Sequence, residues 1–92
     1  MSNAATQKQI ETLNSLVNEI NTIAEEAKAS ANYEEFSHLI ERALLGVLVC
    51  NDGGGTMVDT ARKSNDRALY STTISLLIRT KQRVQNIVDS WN

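Results

Sequence analysis

Proline is absent from this 92-residue chain, and cysteine and histidine occur once each, at Cys50 and His38. A single cysteine excludes an internal disulfide. One cysteine with one histidine cannot complete a Cys/His zinc site within the chain. Of the four glycines, three stand in a row at Gly53, Gly54 and Gly55. With no proline and so little glycine elsewhere, few residues oppose helix formation. No apolar run approaches the roughly 20 residues that cross a bilayer, and the first ten residues are polar rather than leader-like. The expectation is a soluble, cytoplasmic protein with no membrane partner. Its lone thiol, expected to be buried, fits a reducing compartment.

The length implies a single domain, residues 1–92. A chain of this size buries only about 60–65% of its unfolded surface, so stability without disulfide or metal depends on close packing or oligomerisation. The formal net charge of −2 is unevenly spread. Residues 1–50 hold three basic and seven acidic side chains, and residues 51–92 hold six basic and four acidic. Complementary faces within one bundle account for this. A basic surface for an anionic partner is the sharper reading.

Hydrophobic spacing gives the fold class. Ile10, Val17 and Ala24 recur every seven residues, as do Leu13, Ile20 and Ala27, with Leu16 and Ile23 widening the seam. Such a three-row pattern suits a bundle of three or more helices. Glu11, Glu19, Glu25 and Glu26 fall on the solvated side. Asn32 followed by Glu35 predicts a capping-box variant opening a second helix. That helix places Tyr33, Phe36, Ile40, Ala43, Leu44, Val47 and Cys50 on one stripe. Ser64, Asn65 and Asp66 offer caps for a long last helix ending near Trp91, with Tyr70, Leu77, Val84 and Trp91 seven apart. Lys81 interrupts this stripe and is expected to reach solvent or a glutamate of the first helix. The residues 56–63 fit a short helix. The return strand of a hairpin pairing with Val47 to Cys50 is the other possibility. The predicted fold is all-α: a small bundle of three or four helices, containing a long antiparallel helical hairpin, and oligomeric.

The stretch from Ala43 to Cys50 has eight residues without a charge and runs into the glycine cluster. A surface helix is apolar on one stripe only, so an all-round apolar piece is either covered by something else or not a helix. As a helix it would present Leu45 and Val49 on the side of His38 and Arg42. Ile78 likewise lies off its stripe. Leu45, Val49, Ile78 and Trp91 are therefore the candidate interface residues.

Little in the chain carries chemistry. His38 lacks a catalytic companion and fits a surface position. Glu34 and Glu35 are adjacent and point apart. No metal motif or Walker-type loop is present, so neither catalytic residues nor a cofactor are expected. The one ligand-like constellation is Asn51, Gly53, Gly54, Gly55 and Thr56, joined by Arg62, Lys63 and Arg67. Successive glycine amides before a helix can cradle an anion, although Asp52 opposes one. The acidic balance and the absence of a helix-turn-helix pattern argue against nucleic acid. In type, the chain is similar to the small acidic helical regulators and inhibitors carried by phages and mobile elements. The expected function is non-catalytic: an oligomeric regulator or inhibitor that binds itself and another protein. The alternative is a binder of a phosphate-bearing small molecule, such as a nucleotide, at the glycine loop.

Overall fold

The computed structural model describes residues 3–50 and 54–91. Among them are four helices: α1 Gln7–Ala27, α2 Tyr33–Leu44, α3 Met57–Ser64 and α4 Arg67–Asp89. No described helix is long and apolar enough to cross a membrane. The all-helical class agrees with the spacing, and the segment after the glycines forms helix Met57–Ser64 rather than a return strand.

Helix α1 starts at a capping box. The Thr6 hydroxyl accepts from the Gln9 amide at 3.1 Å, and the Gln9 side chain accepts from the Thr6 amide at 3.0 Å. Two otherwise orphaned donors are satisfied together. The segment ahead of α1 is tied to the α3–α4 corner. The Ala5 amide donates to the Asn65 carbonyl, and the Arg67 amide donates to the Asn3 carbonyl at 2.7 Å. Asn65 adopts the left-handed conformation that ends α3. The Asp66 carboxylate then caps α4 by accepting from the Leu69 amide. Three weak helix formers, Ser71 to Thr73, do not break α4. The Thr72 and Thr73 hydroxyls donate back to the carbonyls of Ala68 and Leu69, which satisfies them within the helix.

Gln9 lies beside Arg67, Glu19 beside Lys81, and Asn32 beside Trp91. The two long helices, α1 and α4, therefore run parallel. Helices α2 and α3 make the return, with Tyr33 at the Trp91 end and Asn65 back at Ala5. At about 1.5 Å per residue, the 12 and 8 residues of α2 and α3 together match the 21 residues of α1. The result is an up–down–up bundle whose middle leg is broken, not a single long antiparallel hairpin. An odd number of legs makes the outer two parallel. Leu13 and Ile20 of α1, Val58 of α3, and Leu77 and Val84 of α4 are almost fully buried. Trp91 closes one end, stacked on Phe36 at 5.7 Å and edge-on to Tyr33 at 6.4 Å.

Two sequence expectations fail in the middle leg. Asn32 precedes α2, but its side chain makes no cap; it donates to the Trp91 carbonyl at 3.0 Å instead. Helix α2 also stops at Leu44 rather than continuing to Cys50. Leu45 is extended and Gly46 has φ +80°, a left-handed turn that only glycine adopts without strain. The amides of Val47, Leu48 and Val49 all return to the Leu44 carbonyl, and the Gly46 amide donates to Val49. This tight turn directs Val47 inward and Leu45 and Val49 outward. Cys50, expected to be buried at the end of a helical stripe, is exposed because the stripe ends six residues earlier.

A Cβ at Gly46 would meet no atom within 4 Å, so only its backbone angle opposes substitution. Gly46→Ala is expected to lower stability by roughly 1–2 kcal/mol. Urea denaturation followed by circular dichroism measures this, and an unchanged midpoint would contradict the left-handed turn.

Candidate functional site

Only part of the glycine-loop constellation falls among the described residues. Asn51, Asp52 and Gly53 lie outside the described residues, and Gly54 and Gly55 are exposed. Thr56 is buried and caps α3, its hydroxyl accepting from the Asp59 amide at 3.1 Å. The Met57 amide donates to the Gly46 carbonyl at 2.9 Å, and the Val58 amide donates to Val47 at 3.4 Å. The first three amides of α3 thus have partners within the chain, so these helix donors are engaged apart from the glycine amides ahead of them. Arg62 and Lys63 lie in the last turn of α3, about 9 Å further along the helix. Arg62 donates to the Asn14 side chain at 2.8 Å, and Arg67 donates to the Ala4 carbonyl at 3.2 Å. These two arginines fasten α1 and the segment before it to the α3–α4 corner.

Three of the four candidate interface side chains are exposed, although Leu45 and Val49 stand on a turn rather than on a helix face beside His38 and Arg42. Leu45 and Val49 are each 47% exposed and Ile78 is 55% exposed. Trp91 is 8% exposed, so its ring belongs to the core more than to any surface. The exposed side chains fall into two patches. Leu45 and Val49 edge a groove of about 460 Å³ between α1 and α2, with Ala24, Ile40 and Leu44 as its apolar lining. Asn21, Glu25, Lys28 and Glu41 provide its polar margin, and Tyr33 closes one end. Ile78 borders a separate concavity beside Thr12, Ser15 and Leu16. At about 100° per residue, positions 21, 24, 25 and 28 of α1 face nearly opposite to positions 11, 12, 15 and 19. The two patches therefore lie on different sides of the molecule.

Both patches are bordered by charged side chains. Lys28 pairs with Glu25 at 2.9 Å, and the hydrogen bond and charge of that carboxylate hold the ammonium above its usual pKa. Lys81 reaches Glu19 of α1 at 3.3 Å, one of the two fates its sequence position predicts. His38 is exposed, as expected of a surface histidine. Among the described residues, no group of three acidic, cysteine or histidine side chains is placed to hold a metal ion.

Sequence reasoning missed the groove because it depends on where α2 stops. Gly46, a lone glycine inside an apolar run, was the available signal. The Thr6–Gln9 capping box was also legible as a Thr-x-x-Gln spacing. No family model, curated protein or solved structure matches this chain.

Since the α3 amides are occupied, adding inorganic phosphate or a nucleoside triphosphate is expected to leave the NMR signals of Met57, Val58 and Asp59 in place. Saturable shifts at those amides, together with Arg62 and Arg67, would show that the loop does bind anions.

Proposed function

We propose that this chain is a non-catalytic interaction protein that self-associates and binds, and thereby regulates or inhibits, another macromolecule. The supporting observation is the exposure of Leu45, Val49 and Ile78 on two separate faces of an otherwise well-buried bundle. Fully burying one such side chain contributes roughly 1.5–3 kcal/mol, so leaving three in water favours an assembled state. Two faces allow two roles: one patch joins copies of the chain, and the other remains for a different protein. A reducing, cytoplasmic setting suits the exposed Cys50 thiol. Binding of a phosphate-bearing small molecule at the glycine loop has less support, because the nearby helix donors are engaged and the arginines point elsewhere.

Light scattering is expected to give a mass above the 10.2 kDa of one chain, rising with concentration. Replacing Leu45 and Val49 together by Glu should return it to 10.2 kDa while the helical signal persists. A concentration-independent mass of 10.2 kDa for the unaltered protein would refute self-association.

A further inference from the structure

We propose that Trp91 is a latch. It closes one end of the bundle while Asn32 holds it, and it swings out, with the rest of the bundle still folded, when Asn32 turns to cap α2. The inference does not depend on self-association.

Two polar groups are poorly served at this end. The Trp91 indole nitrogen is shut off from solvent and has no hydrogen-bond acceptor among the described residues. An indole N–H can only donate, so burying it without an acceptor opposes the closed form. Asn32 stands at the N-cap of α2, where an asparagine side chain ordinarily accepts from an amide of the first turn. It makes no such bond, and its side-chain amide donates to the Trp91 carbonyl at 3.0 Å. Its backbone is helical, with φ −89° and ψ −2°, not the extended form that a capping residue takes. In that form Asn32 holds the latch and leaves the cap unmade.

What keeps the latch shut is local. Trp91 lies two residues beyond α4, stacked on Phe36 at 5.7 Å and edge-on to Tyr33 at 6.4 Å. The most deeply buried side chains, among them Leu13, Ile20, Leu77 and Val84, belong to the bodies of α1 and α4. Opening forfeits the aromatic contacts at one end and leaves that core in place, which is the condition for a sub-global opening. It also brings the indole N–H to water, lets Asn32 cap α2, and uncovers Tyr33 and Phe36. These rings and the indole make an aromatic surface that the closed form withholds.

Trp91 is the only tryptophan of the chain, so its emission reports the latch. A urea titration of the full chain is followed by tryptophan emission and by circular dichroism. Emission is expected to move to longer wavelength at lower urea than the helical signal is lost. Coincident transitions would overturn the proposal, because Trp91 would then leave only with global unfolding. Two variants test the exchange at Asn32. Asn32→Ala removes the hold on the Trp91 carbonyl and offers no cap. Asn32→Ser also removes it, being one atom shorter, but caps a helix about as well as asparagine. Without urea, both are expected to keep the helical signal and to emit at longer wavelength, with the larger shift for Asn32→Ser. Equal shifts, or none, would show that capping α2 does not drive opening. Loss of the helical signal in both variants would show that the closed end is required for the fold, which also refutes the latch.

Discussion

The left-handed turn at Gly46 is the constraint on which the rest of the middle leg depends. Without it, α2 would continue through an apolar run with no face turned to water. With it, the chain doubles back within four residues, gathers three amides on the Leu44 carbonyl, and divides the run between core and surface. The carbonyls of Gly46 and Val47 then accept the first amides of α3. One backbone conformation thus ends one helix, engages the first two amides of the next, and leaves Leu45 and Val49 exposed. Left-handed geometry costs a side-chain-bearing residue roughly 1–2 kcal/mol, which explains why glycine sits at this place.

Around this break, the bundle is held by the parallel pair α1 and α4. Leu13 and Ile20 on one helix and Leu77 and Val84 on the other leave almost no surface in water. Polar ties fix both ends of the pair: Arg67 and Gln9 at the start, and Asn32 with the Trp91 carbonyl at the finish. Surface ion pairs such as Lys81–Glu19 contribute little beside this burial, because both partners are half exposed and screened by water.

Much of this was legible in the sequence. Sevenfold spacing located α1 and α4, and cap residues at Ser64 to Asp66 marked where α4 begins. The apolar side chains lying off their stripes, Leu45, Val49 and Ile78, were recognisable as surplus, and all three are exposed. The direction of packing was not legible, since periodicity names a buried face but not the neighbour that covers it. The end of α2 was missed because residues 45–50 are compatible with helical spacing, and only the φ of Gly46 decides otherwise. The same error misplaced Cys50 in the core. The glycine-loop constellation was a proximity in sequence that the eight-residue α3 pulls apart, leaving its arginines at the opposite end of the helix from the loop.

The proposed function rests on what this architecture leaves uncovered. A three-leg bundle with a broken middle leg buries its core yet retains a groove beside the break and an isolated isoleucine on another side. Amide hydrogen exchange at Met57 and Val58 tests the closed break most directly. If their donors are held by Gly46 and Val47, as the fold requires, both amides will exchange far more slowly than in an unstructured chain. Exchange at unprotected rates would mean that the turn is open. Leu45 and Val49 would then not be fixed outward, and the proposed self-association would lose its basis.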